Sequence, residues 1–354
     1  MTAQPTGAGS TSKIGEEAIR HIQPMSIGDM FQLLPGNLSV NPNLNGVGQA
    51  AIREIGSNAN NALGAAVIVD GAPLSNDGNL QALSPSLAGS ASNQSQNGMS
   101  DQTTAGKGVD LRSVSPDNVE SMEVIRGIPS VEYGNLTSGV VIVKTKTGST
   151  PWEAKFKADP YSKMVYAGKG FTLKNGSAIN AGIDWTQSFG DTRKRYLGYD
   201  RISATLGYSK SFDVAGRPML LRLNGYNSKT DPQMQVTSST FENKNIGARL
   251  NAEGSWKING AALTALEYGF MVSQAYQSDR LHDYIASASS VVTNTLKPGV
   301  GLGTFLPSSY YSDYEIEGKP FSVYLQVKAN KIIQLGGGGN FTSCRTNLCQ
   351  TDSA

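Results

Sequence analysis

Apolar and polar residues alternate with a period of two over long stretches of the second half of the chain. In the clearest stretch, residues 246–258, every second position is apolar or glycine: Ile246, Ala248, Leu250, Ala252, Gly254, Trp256 and Ile258. An extended segment of this length spans roughly 43 Å at about 3.3 Å per residue, longer than the usual strand of about five or six residues. The alternation therefore predicts long β-strands with one apolar face.

Shorter segments repeat this pattern, with the following apolar faces: Ile179, Ala181, Ile183 and Trp185; Ile202, Ala204, Leu206 and Tyr208; Met219, Leu221 and Leu223; Leu266, Tyr268, Phe270 and Val272; Val323, Leu325 and Val327. A short turn at 257–260 lies between long polar loops at 228–244 and 275–320. Such strands fit either a closed barrel in lipid or a soluble sandwich. Strand length and the alternation of short and long loops favour the membrane barrel.

The composition excludes several classes of function. Charged residues make up 16% of the chain and the formal net charge is +2, so nothing supports a nucleic-acid partner. Two histidines and two cysteines are too few for a His-rich metal site or a disulfide framework. No phosphate-binding loop or acid/base pair is recognisable. We therefore expect no enzyme, no cofactor and no metal, and the lack of an apolar run of about 18 residues excludes a transmembrane helix.

Residues 10–147 predict a compact α/β domain. Ile14, Ala18 and Ile22 recur at helical spacing, so two short helices are predicted within residues 14–34.

Short strands are predicted at 51–55, 66–69, 123–126 and 140–146, where apolar runs of strand length occur. A short helix is predicted to start at Pro116, because proline suits the first helical position.

Residues 75–108 are rich in Ser, Asn, Gln and Gly and predict a long exposed loop. The segment is either a linker or a loop that faces a ligand. In the second interpretation, the amides that would meet a polar ligand are Asn76, Asn79, Asn93, Gln94 and Gln96.

Several of these segments resemble the plug domain of TonB-dependent outer-membrane receptors of the Bacteroidetes type. The matching segments are LLPG at 33–36, AIREIG at 51–56, VIVDGAPL at 67–74 and VESMEVIRGIPSVEYGNLTSGVVIVKTKTG at 119–148. The resemblance covers about residues 2–150, and the remainder fits the family's 22-stranded barrel with a plugged lumen by pattern alone. It implies an α/β plug domain followed by an antiparallel transmembrane β-barrel that is incomplete in this chain.

The resemblance implies domain boundaries and a function. Residues 1–150 would form the plug, 151–333 the N-terminal part of the barrel, and 334–354 an aberrant or disordered tail. Such receptors lie in the outer membrane, bind a scarce nutrient (an iron chelate, cobalamin, a glycan or a peptide) and import it with energy from a TonB-type protein. The expected partners are therefore that protein, the nutrient and the lipid bilayer. A surface adhesin or a soluble β-rich binding module is the alternative.

The resemblance also implies roles for single residues. Arg53 and Arg126 correspond to plug arginines that contact the barrel. Structural turns of the plug are expected at Gly36, Asp70, Gly71, Gly127, Gly134 and Gly139.

Other features depart from the family pattern. Residues 1–10 carry no signal-peptide pattern, and no motif for the energy-coupling protein precedes the plug. Residues 151–354 allow roughly 8–10 strands. The alternation stops after Ile333, and Cys344 and Cys349 follow it. These features suggest an internal or frameshifted fragment that would not transport by itself.

Overall fold

A computed structural model describes part of the chain. The described residues are 4–5, 11–35, 44, 50, 52, 65–74, 109–126, 133, 138–189, 192, 198–215, 217–230, 233–236, 239–259, 263–285, 291–292, 304–305, 310–335 and 339–353. Within these ranges the chain forms a six-stranded sheet, an eleven-stranded sheet and a separate two-stranded pair. None of the helices described is long and apolar enough to cross a membrane.

The six-stranded sheet is built from the N-terminal part of the chain. Its strands are β1 (Gln4–Pro5), β2 (Thr11–Gly15), β3 (Ala65–Val69), β4 (Ala72–Pro73), β5 (Val119–Ile125) and β6 (Gly139–Thr145). They lie in the order β1-β2-β5-β6-β3-β4. β3 and β6 pair in parallel, whereas the other neighbours are antiparallel.

Helical segments cover this sheet and enclose its core. They are α1 (Glu16–Ile22) and three 3₁₀ helices at Ile27–Leu33, Leu111–Ser113 and Pro116–Asn118. The core is aliphatic and includes Ile14, Ile19, Ile27, Met30, Val67, Val69, Leu111, Val119, Met122, Val124, Val141 and Val143. The α/β domain expected from the sequence is confirmed.

The element boundaries differ from the predicted ones in two places. Ile14 lies in β2 and not in a helix, because residues four apart also share a face in a strand and β2 is held by pairing with β5. The helix that starts at Pro116 lasts only three residues. Val119 and Met122, which a longer helix from Pro116 would include, are buried in β5.

The eleven-stranded sheet, called the wall below, follows in the chain. Its strands are β7 (Glu153–Ala158), β8 (Ser162–Thr172), β9 (Ala178–Phe189), β10 (Gly198–Val214), β11 (Arg217–Thr230), β12 (Gln233–Val236), β13 (Ser239–Lys257), β14 (Ala265–Ile285), β17 (Tyr310–Gly318), β18 (Phe321–Leu335) and β19 (Gly339–Ser353). The pair β15 (Val291–Val292) and β16 (Thr304–Phe305) lies apart from it. All wall pairings are antiparallel.

The two faces of the wall differ as the alternation predicts. On the outward face, large apolar side chains are between 39% and 73% exposed: Phe156, Val165, Ile183, Ile202, Leu206, Ile246, Leu250, Phe270, Leu325 and Val327. On the inward face, which the N-terminal domain contacts, several side chains are buried and mostly polar: Met164, Asn180, Asp184, Thr186, Tyr199, Arg201, Ser203, Asn251 and Met271. The apolar faces therefore point away from the protein, as a lipid-facing wall requires.

Strands extend further than the sequence indicated. The connections 173–177, 215–216, 258–264 and 336–338 lie at one end of the wall. At the other end lie 159–161, 190–197, 237–238 and the longest connection, 286–309. Parts of the predicted loops 228–244 and 275–320 are strands, since backbone pairing continues along polar residues in β13, β14 and β17. In the segment predicted as a tail, 334–354, the structure forms β19, which pairs along β18 and covers its backbone edge.

Candidate functional site

The N-terminal domain is attached to the wall by a buried arginine. Arg201 on β10 is 0% exposed and lies on the inward face. Its Nη2 is 3.0 Å from Oδ2 of Asp184 on β9, and its Nη1 donates to the backbone carbonyl oxygen of Arg112 at 2.8 Å. A buried charge is tolerated only when it is paired and hydrogen-bonded, and this guanidinium meets both conditions through its bonds to the two domains.

A second buried arginine completes this contact from the N-terminal domain. Arg112 pairs with Asp110, whose carboxylate accepts bonds from Nε and Nη2 at 2.9 Å each. The Arg112 guanidinium carbon also lies 4.9 Å from the ring centroid of Tyr199 on β10, within cation–π range. Asp110 additionally accepts the backbone N–H of Arg112 at 2.9 Å, which fixes the 3₁₀ turn. We call Asp110, Arg112, Asp184, Tyr199 and Arg201 the arginine stack.

The turn between β3 and β4 is a second point of attachment. Asp70 and Gly71 have φ values of 50° and 78°, in the left-handed region. Asp70 is buried, and its carboxylate accepts the backbone N–H and the hydroxyl of Thr145 at 2.8 Å each. Burial raises the pKa of the Asp70 carboxyl, and the two bonds from Thr145 oppose that effect. The carboxylate therefore ties the turn to the end of β6.

Strand β13 of the wall holds this turn from the other side. Asn251 donates through Nδ2 to the carbonyl oxygen of Val69 at 3.1 Å. A Cβ placed on Gly71 would lie 3.4 Å from Oε2 of Glu253, so the turn approaches β13 closely. Glu253 pairs with Arg222 on β11 at 3.3 Å.

Little free space remains around this attachment. Ala72 packs with Met271 and Tyr324 of the wall. A cavity of only about 10 Å³, with Ser115 and Asn224 in its lining, lies beside the turn. This part of the contact is therefore nearly closed.

Two lysines join the domains near the start of the wall. Lys155 on β7 lies 2.8 Å from Oδ1 of Asp117 and 3.3 Å from Oε1 of Glu153. Lys146, just after β6, lies 3.1 Å from Glu153 and 3.2 Å from Glu16 of α1. Burial raises the pKa of Asp117, whereas Lys155 opposes that shift. Glu153 therefore bridges both lysines, and its 3.5 Å contact with Arg20 ties α1 directly to the first strand of the wall.

Of the two arginines assigned to the barrel contact, only Arg126 lies among the described residues. Its Nη1 donates to the carbonyl oxygen of Pro35 at 3.0 Å, and its Nη2 to Oγ of Ser12 at 3.3 Å. Both of these partners belong to the N-terminal domain. Arg53 lies outside the described residues, and a barrel contact for either arginine stays a prediction.

Three of the expected turn residues can be placed. Asp70 and Gly71 form the turn described above, and Gly139 begins β6, where a Cβ would lie 2.6 Å from the carbonyl oxygen of Ile125. The remaining predicted residues lie outside the described part: Gly36, Gly127 and Gly134, together with Asn76, Asn79, Asn93, Gln94 and Gln96 of the predicted ligand-facing loop.

The arginine stack was not anticipated from the sequence. Arg201 was visible only as one polar member of an alternating strand that also contains Ser203 and Thr205. The available sequence signal was an arginine at a position of the alternating strand whose other members, Ser203 and Thr205, are small and polar. Its pairing with Asp184 depends on the β9–β10 register, in which Arg201 lies opposite Thr186.

The arrangement is suited to holding two bodies together. Each arginine of the stack is paired with a carboxylate of its own domain, and the two domains meet through the Arg112 carbonyl oxygen and the Tyr199 ring. Among the residues whose positions are described, no group of three or more His, Cys, Asp or Glu side chains is placed to hold a metal ion.

Comparison with known proteins identifies the N-terminal domain. A sequence model of the TonB-dependent receptor plug domain matches residues 4–141. Residues 4–141 belong to the plug domain family of TonB-dependent receptors. Receptors that contain this plug are outer-membrane transport proteins and not enzymes. The plug is therefore the N-terminal domain described above, and the wall is its barrel segment.

Solved structures agree with this fold. The siderophore receptor PirA from Acinetobacter baumannii aligns with a TM-score of 0.55 and 13% identity, over 96% of this chain and 48% of its own. The ferric-catecholate import receptor Fiu from E. coli K12 aligns with a TM-score of 0.56 and 12% identity, over 98% of this chain and 48% of its own. This chain thus spans about half the length of these receptors. A comparison with curated protein sequences gives no match.

Proposed function

We propose that the chain forms the plug and adjoining barrel wall of a receptor that imports an iron chelate across the outer membrane. The observation that carries this proposal is the seating of a plug domain, through the arginine stack, on the polar face of a wall whose opposite face is apolar and exposed. A plugged lumen with an outward apolar belt is the architecture of outer-membrane transporters.

Iron chelates are favoured over cobalamin, glycans and peptides by the structural relatives. Two receptors that align with TM-scores above one half are described as a siderophore receptor and a ferric-catecholate import receptor. Their identities of 13% and 12% support a shared fold only, and the iron-chelate substrate is what we propose beyond it.

The plug–wall contact would act as a closed gate. The arginine stack, the turn at Asp70 and the lysines Lys146 and Lys155 hold the plug at three places on the inward face. Breaking one buried charged pair costs about 3–5 kcal/mol. Thermal motion would therefore open the contact rarely, and a TonB-type protein would supply the energy that the family requires.

The side from which substrate enters is also part of the proposal. The longest connection, 286–309, lies at the end of the wall opposite the connections 173–177, 215–216 and 258–264, and in bacterial barrels the longer loops are extracellular. The loop 75–108, with Asn76, Asn79, Asn93, Gln94 and Gln96, is the proposed ligand-facing segment of the plug. The proposal also keeps the contact between plug and barrel that the family resemblance implies for Arg53 and Arg126.

The proposal is tested by deleting the gene in its source bacterium and measuring energised uptake of labelled substrates. We expect accumulation of a ferric catecholate to fall to the level seen with a protonophore, while cobalamin and glycan uptake are unchanged. Complementation by the intact gene should restore uptake. Loss of cobalamin uptake instead would show that the substrate is cobalamin and not an iron chelate. Unchanged uptake of every substrate would overturn the proposal.

A soluble binding module is less consistent with the wall. Such a module would bury the apolar faces against a second layer. Instead, Ile202, Leu206 and Leu250 are 52%, 59% and 52% exposed.

A further inference from the structure

Two lysine–phenylalanine pairs lie near strand ends that lead into short turns. Lys169 and Phe171 are in the last four residues of β8, and Lys210 and Phe212 are in the last five of β10. In each pair the lysine Nζ lies 4.9 Å from the phenylalanine ring centroid. The same Lys-x-Phe arrangement therefore occurs twice at the same end of the wall.

Both pairs point away from the plug. Lys169 and Phe171 share the face of β8 that carries Val165, and Phe171 is 50% exposed. Lys210 and Phe212 occupy the alternate positions of β10 that also carry the exposed Leu206. The two ammonium groups are thus on the face that meets lipid.

An apolar strip separates the pairs. Strand β9 runs between β8 and β10, and its Ile179 lies opposite Phe171 on one side and Tyr208 on the other, so Lys210 and Phe212 lie two and four residues nearer their turn than this row. Two strands so arranged are about 10 Å apart. Acyl chains can lie along this strip while each lysine remains at its edge.

The position of the pairs defines the chemical environment that the lysines meet. Short turns of bacterial outer-membrane barrels are periplasmic. A charge on the lipid face is least costly near the membrane interface, which is also where aromatic rings collect. Lysines at this end therefore lie at the level of lipid headgroups, where phosphodiesters are the complementary anions.

We propose that Lys169–Phe171 and Lys210–Phe212 form a docking surface for anionic glycerophospholipids of the periplasmic leaflet. The inference rests on the proposed function, because it requires the wall to span a membrane. Each ammonium would pair with lipid phosphate while its phenylalanine ring packs against the upper part of the acyl chains. A lysine close to an anionic lipid surface strengthens binding about fivefold.

The test uses the full chain, folded in detergent micelles and titrated with phosphatidylglycerol or phosphatidylcholine, with bound lipid counted by native mass spectrometry. Wild type is expected to retain phosphatidylglycerol in preference to phosphatidylcholine. The double variant Lys169→Gln/Lys210→Gln should weaken phosphatidylglycerol retention about 25-fold, as fivefold for each lysine. Inorganic phosphate should not displace the lipid, because it offers no acyl chains.

Lys163→Gln is the matched control. Lys163 is exposed on the same face of β8 but lies at the opposite end of the strand, so its loss should leave lipid retention unchanged. Phe171→Leu/Phe212→Leu keeps both charges and removes the rings, and it should weaken retention less than the lysine changes; it also provides the test if the lysine variant does not fold.

Three results would overturn the docking surface: equal retention of the two lipids, displacement by inorganic phosphate, or equal losses in the Lys163 control and the double variant. Failure of the wild-type chain to enter micelles or vesicles would instead count against the proposed function, and the docking surface would be lost with it.

Discussion

Arg201 donates a hydrogen bond of 2.8 Å to the backbone carbonyl oxygen of Arg112, and this bond joins the barrel wall to the plug. The acceptor is a main-chain atom, so the plug residue contributes to this bond whatever its side chain. The donor is different, because only a long cationic side chain at position 201 reaches both Asp184 and the plug. The wall side of the contact is therefore the sensitive side.

Replacing Arg201 by methionine should destabilise the chain by about 3–5 kcal/mol, because Asp184 is then buried without its cation. The free energy of unfolding from urea titration in micelles measures this loss. The double variant Arg201→Met/Asp184→Leu should recover part of it, since no unpaired charge remains. Arg217→Met, at the short-turn end of β11, is the control and should change stability by less than about 1 kcal/mol. A single variant no worse than this control would contradict the prediction.

Asp70→Asn should change how stability depends on pH. Burial raises the pKa of Asp70 above its ordinary value of 3.8. The folded state then binds more protons than the unfolded state, so this group's contribution to stability falls as pH rises from about 3.8 through the raised pKa. Asparagine removes that contribution while still accepting a bond from Thr145.

Urea titrations between pH 4 and pH 8 measure the difference. The free energy of unfolding of Asp70→Asn, relative to that of wild type, should increase as pH increases. Asp29 and Asp117, whose pKa values burial also raises, remain in both proteins and cancel in the comparison. Asp213→Asn alters an exposed carboxyl and serves as control. A difference between Asp70→Asn and wild type that is constant across this range would refute the assignment.

Gly139→Ala should destabilise the plug by about 1–3 kcal/mol, the usual cost of overpacking a closely packed site. The added Cβ would lie 2.6 Å from the carbonyl oxygen of Ile125 and 3.0 Å from Ile52. Gly15→Ala is a matched control, because a Cβ there has no atom within 4 Å. Thermal unfolding followed by circular dichroism compares the two variants, and equal midpoints would be the unexpected result.

Leu250→Arg should reduce membrane insertion. Leu250 is 52% exposed on the outward face of β13, and an arginine at the bilayer midplane of a barrel costs about 2–4 kcal/mol. Val214→Arg, at the end of β10 and 38% exposed on the same outward face, places the same charge near the interface, where the cost is about 0–1 kcal/mol. The inserted fraction in vesicles is the measurement. If both variants insert like wild type, the outward face does not contact lipid.

The wall could be predicted from the sequence to a large extent because its signal is local. A strand that faces lipid on one side and the lumen on the other must alternate apolar and polar residues. Leu250 and Asn251 can therefore be assigned to opposite faces from the sequence of this strand alone. The plug strand β3 could also be predicted, since a continuous apolar run of strand length indicates burial on both faces.

The contact between plug and wall could not be predicted from the sequence, because it depends on residues that are distant in the chain. Arg201 and Asp184 are 17 residues apart, and their pairing follows from strand register, which no local pattern specifies. Ile14 illustrates the same limit in the plug. Its spacing from Ala18 suits either a helix or a strand, and the choice is made by pairing with β5.

The bond between Asn251 and Val69 joins residues 182 positions apart in the chain. Closing so long a segment is slow and entropically expensive. The β3–β4 turn is therefore synthesised long before the strand that fixes it, and it lacks this attachment until β13 is in place.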